Sequence, residues 1–405
     1  MSVSATASKL SPSQRLYSVD LVRGLVVVIM ALDHTRDLLH TDSLTHDPTD
    51  LASTSPILFF TRWVTHLCAP IFVFLSGTSA YLMMHNAHAP RTATDVRRFL
   101  ITRGLWLILL ECTVVGFGIW CDVQFRSFLF QVIFAIGAGF ILLSLFIKLN
   151  PMLIACIGAF IIITHNALPD YPFGKAGAQP EALQLVWGLF FKGGFFKLGA
   201  IRALIVGYPV VPWLGIMLLG FGFGKIFGIG AATRRRILLQ AGTLAIILFV
   251  LLRYSNLYGD PNPWQAGYSP TFTFLSFLNL DKYPPSLLYT CVTLSVMFFM
   301  LYLAERLSEH PVASFLITYG RVPMFFYLCH WYIIHTAMFI MLLLQGVREF
   351  QFGIMQFGRP EEGVGIRLPY VYLAWALLIA VMYPLCRAYG RYKAAHREKK
   401  WLAYL

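Results

Sequence analysis

The sequence predicts an all-α polytopic transmembrane helix bundle of about ten spans, with both termini cytoplasmic. Three observations carry that expectation. Only 13% of the 405 residues are charged, 58% are hydrophobic and the mean hydropathy is +0.66; soluble domains carry roughly 25% charged residues. Apolar runs of spanning length recur along the chain between polar links. Lys and Arg concentrate in alternate links, as the positive-inside rule requires.

The first span, Val19–Leu39, has Ser18 and Asp20 as cap candidates. At about 1.5 Å rise per residue it is roughly 30 Å long, enough to cross a bilayer core. Asp33, Arg36, Asp37 and His40 share one face by i, i+3, i+4, i+7 spacing. Asp33 and His34 lie about two turns below the end of the span. An ionisable group at that depth costs on the order of 2.5–3.5 kcal/mol, so it should face protein or a wet cavity. The second span, Ile57–Met84, carries His66, Pro70 and the small-residue patch Ser76–Ala80, which permits close helix packing. Phe99–Trp120 has Glu111 near its middle, and Phe128–Ile147 and Met152–Thr164 follow. Asn166–Tyr208 is a long Gly- and Pro-containing link whose middle, Leu183–Leu198, reads as a partly inserted amphipathic segment. Val211–Phe227 and Ile237–Leu252 are spans; Leu257–Pro285 is a polar, aromatic loop. Leu287–Leu303, Phe315–Leu344 and Pro369–Ala388 complete the bundle, with a loop at Gln345–Leu368. Three regions result: a polar lead at 1–14, expected to be disordered; one transmembrane domain at 15–390; and a basic cytoplasmic tail at 391–405. The lead has no apolar core of a cleaved signal, and no fixed-period repeat is evident.

The formal charge of +13 would suggest nucleic acid in a soluble chain. Here it falls in the links expected to be cytoplasmic, at Arg91, Arg97, Arg98, Lys148, Arg234, Arg235, Arg236, Arg306 and the tail. The partner it implies is membrane lipid, not nucleic acid. The link after the first span holds Asp42, Asp47 and Asp50 but no Lys or Arg, which puts it outside. Lys175, Lys192, Lys197 and Arg202 run against the rule in a long link, where the rule is weaker. The seven cysteines lie mostly in apolar runs without a CxxC pair and read as small buried hydrophobes. No ligand spacing indicates a metal.

With this topology the polar residues of four spans, His34 with Asp33, His66, Glu111, and His330 with His335, converge on one outer-half cavity. Arg97, Arg98, Arg103, Arg234, Arg235 and Arg236 lie at the opposite mouth. That layout suits an anionic donor from the cytoplasm and an acceptor from outside. Chemistry at such a cavity needs a base to take a proton, which histidine supplies near neutral pH. Asp33 or Asp37 can orient the ring. Plainer readings stand beside these: an interhelical polar network for Asp33 and His34, packing hydrogen bonds for His66, His330 and His335, an Arg partner for Glu111, and a topology signal for the triple arginine. Gly220, Gly222 and Gly224 read as packing glycines.

RLYSVDLVRGLVVVIMALDHTRD and THLCAPIFVFLSGTSAYL resemble the first two helices of the heparan-alpha-glucosaminide N-acetyltransferase catalytic-domain family and its bacterial relatives. VPWLGIMLLGFGFGKIF resembles that family's mid-chain helix. The resemblance implies a multi-pass transferase in a bacterial inner membrane. It would move an acetyl or other acyl group from cytosolic acetyl-CoA to an extracytoplasmic glycan or amino sugar. The family's polar positions fall on Asp33, His34 and His66; its animal members place a functional histidine in the first link, which is longer here and holds His40 and His46. On this reading His34 is the base or a transient acyl carrier, Asp33 or Asp37 orients it, and His66 contacts the acceptor or the acyl group. Arg97, Arg98, Arg234 and Arg235 would receive the CoA nucleotide. A homodimer is left open. The alternative is a proton-coupled transporter or exporter of a small solute, using the same buried groups as a relay; many such transporters carry internal repeats.

Overall fold

Proline and glycine cut the apolar runs into more pieces than hydropathy alone suggests. The computed structural model describes residues 12–85, 91–172, 181–307, 310–396 and 398–404. Most of the expected polar lead lies outside the described residues, and the first helix already begins at Pro12.

The elements are α1 (Pro12–Leu39), α2 (Pro56–Thr65), α3 (Cys68–Met84), α4 (Ala93–Leu110), α5 (Gly116–Trp120), β1 (Ser127–Phe130), α6 (Val132–Phe146), α7 (Pro151–Thr164), α8 (Glu181–Trp187), β2 (Gly194–Lys197) and β3 (Ala203–Val206). Then come α9 (Val210–Phe223), α10 (Ala231–Ser255), α11 (Pro270–Leu278), α12 (Leu287–Ala304), α13 (Pro311–Gly320), α14 (Pro323–Leu344) and α15 (Leu368–Ala395). Seven stretches of these are long and apolar enough to cross a membrane: 56–84, 93–120, 210–228, 231–255, 287–304, 323–344 and 368–395. The chain is therefore an integral membrane protein of mainly helical build. α1 has 28 residues but carries Asp20, Arg23, Asp33, Arg36 and Asp37; α6, α7 and α13 are apolar but shorter.

The second predicted span is two helices, α2 and α3, interrupted at His66–Leu67. Pro70 has no N–H to give the carbonyl four residues back, which is that of His66. The Tyr289 hydroxyl donates to this carbonyl instead, at 2.6 Å. The ninth predicted span is likewise α13 and α14. The residue before a proline avoids helical geometry, and Val322, before Pro323, takes φ −134°, ψ 47°. A π-helical turn at Glu111–Val115 joins α4 to α5. The expectation of an all-α chain needs one correction. β1 pairs in parallel with β3, and β2 pairs antiparallel on the other side of it. The segment predicted as partly inserted is thus α8, a π-turn and β2. Gly193 and Gly194, at φ 79° and 140°, stop the helix there. The loop Leu257–Pro285 contains α11, and α15 runs on through Arg391 and Lys393, the start of the predicted tail.

α1 is central and packs against α3, α12, α13, α14 and α15. Its Val22, Val26, Val27 and Ala31 are fully buried. Hydrocarbon gives helices no hydrophobic reason to associate, so small residues that admit close backbone contact set the crossings. A Cβ on Gly24 would lie 1.8 Å from the Leu316 carbonyl oxygen, and one on Gly320 would lie 1.8 Å from that of Asp20. The α3–α9 crossing is built the same way from Gly77 and Gly220, with Thr78 Oγ1 donating to the Gly220 carbonyl at 2.9 Å.

Gly24→Val and Gly320→Val are each expected to lower the melting temperature of the detergent-solubilised chain, through overpacking of about 1–3 kcal/mol or more. Gly228→Ala, with nothing within 4 Å of the added carbon, is expected to leave it unchanged. Tryptophan-fluorescence melting checks this; equal temperatures for all three variants would contradict the close α1–α13 crossing.

Candidate functional site

The two ends of α1 each line a cavity, and both cavities lie inside the helical bundle. The N-terminal half faces a chamber of about 410 Å³. Its polar wall includes Asp20, Arg23, Ser79, Arg103, Arg321 and Lys393. Arg23 donates to the Leu75 carbonyl at 3.0 Å and to Ser79 Oγ, and lies 3.7 Å from Asp20. The rest of the lining is apolar, with Leu100, Leu107, Ile133 and Phe140.

The C-terminal half of α1 faces a smaller chamber of about 170 Å³. Asp33, His34 and Asp37 line it from α1, Arg62 from α2, Lys282 and Tyr283 from the link before α12, and Trp331 from α14. Met30, Phe72 and Val132 line both chambers. Between Arg23 and His34 the helix rises about 16 Å. A third, open polar cavity of about 290 Å³ continues outward from the small chamber, sharing Asp37 and Arg62 with it and adding Ser43, His46 and Asp47.

Ion pairs organise the small chamber. Asp33 is held by Arg36 at 3.0 Å and by Arg62, and Arg36 also pairs with Asp37. A buried carboxylate persists only when paired and hydrogen-bonded. Lys282 is buried with its Nζ 5.0 Å from the centre of the Tyr283 ring and 5.9 Å from that of Tyr208. Burial would raise the Tyr283 phenol, but the cations Lys282 and Arg62 outweigh it and hold it below its ordinary value. The neighbouring Tyr208 phenol is pushed well up, by burial first. Arg359, fully buried in the link before α15, ties down the end of α1 by donating to the carbonyls of Leu38 at 2.7 Å and His40 at 3.2 Å. A cation there also complements the helix C-terminus.

His34 stands differently from the sequence expectation. No hydrogen bond or ion pair joins it to Asp33 or Asp37 among the described residues, because both carboxylates are taken by arginine. Its ring is set by packing, 4.1 Å from Trp331 and 5.3 Å from His330 between centroids, and its Nδ1 is buried without a partner among the described residues. His66 does not line the small chamber; it caps α2 and packs on Tyr289 at 5.9 Å. Glu111 caps α6 instead of pairing with an arginine: its Oε1 accepts from the Gln131 backbone N–H at 3.2 Å. His330 and His335 are buried and bond to backbone carbonyls, at 3.1 Å to Phe326 and 3.2 Å to Phe357. His40 bridges to Ile366 through its backbone.

The basic residues named from sequence are dispersed. Arg97 and Arg98 are exposed on α4 and Arg235 is half-buried on α10. Arg234 is buried in a pair with Glu305 and donates to the Ile229 carbonyl at 3.0 Å, so it is a structural cation, not an open anion receptor. None of the four lines the large chamber. Arg103, which the sequence placed at the donor mouth, does line the large chamber, whereas Arg23, Arg62, Arg321, Lys282 and Lys393, which also carry charge into the chambers, were not assigned site roles from the sequence. Arg62 had a signal: it is a lone charge inside an apolar run, which by default marks function.

Residues 15–259, more than half of the chain, match the family model described as heparan-alpha-glucosaminide N-acetyltransferase, catalytic. No curated protein matches the chain significantly.

Asp33→Asn is expected to destabilise the chain by about 3–5 kcal/mol, since it strips two buried guanidinium groups of their shared carboxylate. Asp37→Asn, at a side chain 35% exposed and holding one arginine, should cost about 1 kcal/mol or less. Melting curves of the two variants test the ranking, and a reversed order would sink it.

Proposed function

The chain belongs to the heparan-alpha-glucosaminide N-acetyltransferase catalytic family, and from that premise we propose that it transfers an acetyl group from acetyl-CoA through its own interior to a glycan or amino sugar on the far side of the membrane. The observation that carries this reading is the pair of chambers on one helix, with Met30, Phe72 and Val132 lining both.

The large chamber suits the donor. A CoA thioester has an anionic nucleotide end and a long, thin pantetheine arm. Arg321, Arg103 and Lys393 supply cationic contacts at the end where α1 begins and α15 finishes. The apolar wall beyond them leads toward Met30 and Phe72. The small chamber suits the acceptor. Its polar extension through Asp37, Ser43, His46 and Asp47 offers acceptors and donors to a hydroxylated ligand. The charge asymmetry along the sequence supports a cytoplasmic position for the donor end.

His34 is the base in this scheme. It lines the small chamber, and among the described residues its Nδ1 is not committed to a carboxylate. The ring removes the proton from the acceptor amine or hydroxyl as the heteroatom attacks the thioester carbon. The carbon–sulfur bond then breaks and the imidazolium returns its proton to the CoA thiolate. Asp33 and Asp37 act through Arg36 and Arg62, setting the potential of the chamber and the position of α2. Arg62 and Lys282 favour the neutral amine over the ammonium, which is the nucleophilic form. His66 takes a supporting part, holding the α2–α3 corner against Tyr289.

General-base removal typically lowers rate by about 10²–10⁴-fold. His34→Gln is therefore expected to lose that much acetyl transfer in proteoliposomes supplied with labelled acetyl-CoA and a panel of amino sugars and hydroxylated glycans, with its melting temperature near wild type. Arg321→Gln should mainly raise KM for acetyl-CoA. Near-wild-type turnover by His34→Gln would remove the base assignment. A wild-type chain that ignores acetyl-CoA but moves a solute against a proton gradient would replace the transferase with a transporter.

A further inference from the structure

Lys282 is buried and lines the small chamber, yet no carboxylate among the described residues pairs with its ammonium. Asp33 and Asp37, the acids that line the same chamber, are already held by Arg36 and Arg62. What stands beside the ammonium is a pair of phenols. Its Nζ lies 5.0 Å from the centre of the Tyr283 ring and 5.9 Å from that of Tyr208, and those two rings cross at 70° with centroids 5.5 Å apart. Both tyrosines line the chamber, and the polar neighbours of the Tyr283 hydroxyl are Lys282 and Tyr208. Tyr283 is 44% exposed, so it keeps open surface while its neighbours Lys282 and Tyr208 are buried.

The turn that presents this pair is locked by hydrogen bonds. The Tyr283 N–H donates to Asp281 Oδ1 at 2.9 Å, the Asp281 N–H donates to Asp260 Oδ2 at 3.0 Å, and the Ser286 hydroxyl donates to the same oxygen at 2.6 Å. Asp260 lies 3.8 Å from the buried Arg253, whose guanidinium donates to the carbonyls of Asn262, Ser276, Phe277 and Asn279. A buried cation stabilises the ionised form of an acid beside it. Burial raises the Tyr283 phenol, but Lys282 and then Arg62 bring it below its ordinary value; Asp33, Tyr208 and Tyr289 are the other titratable groups that face it.

Building on the transferase reading, we propose that Tyr283 accepts the first proton of an amine substrate, with Lys282 as its positioning cation. An amino sugar arrives as an ammonium, which has no lone pair and cannot attack. One N–H proton passes to the Tyr283 oxygen, leaving a neutral amine and a phenol. The amine attacks the thioester carbon, and His34 takes the second proton and returns it to the CoA thiolate as the carbon–sulfur bond breaks. The phenol then releases the first proton to water on the acceptor side. One ammonium and one thioester give one amide, one thiol and one proton.

Two measurements on the full-length chain in nanodiscs test this. The first is a tyrosinate absorbance titration, which needs no substrate. Wild-type protein is expected to show a tyrosine that ionises ahead of the others; Tyr283→Phe should remove that step and Lys282→Met should move it to higher pH. The second compares acetyl transfer to glucosamine, at a pH where its amine is charged, with transfer to an aminophenyl glucoside, whose aryl amine is neutral. Tyr283→Phe should slow the first by about 10²–10⁴-fold and leave the second close to wild type, whereas His34→Gln slows both. If Lys282→Met fails to fold, the isosteric Tyr283→Phe decides. The proposal is overturned if wild-type protein has no early-ionising tyrosine, or if Tyr283→Phe treats the two acceptors alike. If wild-type protein acetylates neither acceptor, the transferase reading falls and takes this role with it; if it acetylates both and Tyr283→Phe changes nothing, the role of Tyr283 alone fails.

Discussion

A carboxylate two turns inside a membrane helix has to be neutralised, and the way Asp33 is neutralised governs the rest of the site. It holds Arg36 of its own helix and Arg62 of α2 at once, and Arg36 holds Asp37 in turn. These contacts bind α2 to α1. α2 is a separate helix because Pro70 leaves the His66 carbonyl without its helical donor and Tyr289 supplies one. At the other end of the network, Arg359 fixes the last carbonyls of α1 to the link before α15. His34 is thereby held on a helix whose charged neighbours are all committed, and its own ring is left to the chamber.

The opposite half of α1 depends on the absence of side chains. Gly24 and Gly320 let α1 and α13 touch backbone to backbone. The break between α13 and α14, imposed by Pro323, brings Arg321 to the rim of the large chamber. Charge pairing at one end and glycine packing at the other leave cavities on the same helix, separated by Met30, Phe72 and Val132.

Much of this was legible in the sequence, because hydropathy reports burial in lipid directly. The helices fall close to where the apolar runs place them, and Asp33 and His34 do share one cavity, although His66, Glu111, His330 and His335, expected to converge there, do not line it. What was not legible has physical reasons. Spacing along a helix cannot tell whether Asp33 faces a histidine on its own helix or an arginine 29 residues away. GGFFK is apolar and aromatic enough to pass for an interfacial helix, and only its pairing with Ala203–Val206 makes it a strand. A run of three arginines signals topology, yet the first of them is buried against Glu305. The prolines at 70 and 323 were visible; their effect lay in which carbonyl they freed and what donor came to meet it.

The central claim is that the two chambers form one route across the membrane, with chemistry at the wall between them. Sidedness tests it most directly. Proteoliposomes of uniform orientation would carry labelled acetyl-CoA only on the side of the α15 C-terminus and a membrane-impermeant glucosaminide oligosaccharide only on the other. The account predicts acetylated oligosaccharide on its own side and free CoA on the donor side. Acetylated product formed only when donor and oligosaccharide share one compartment would contradict it.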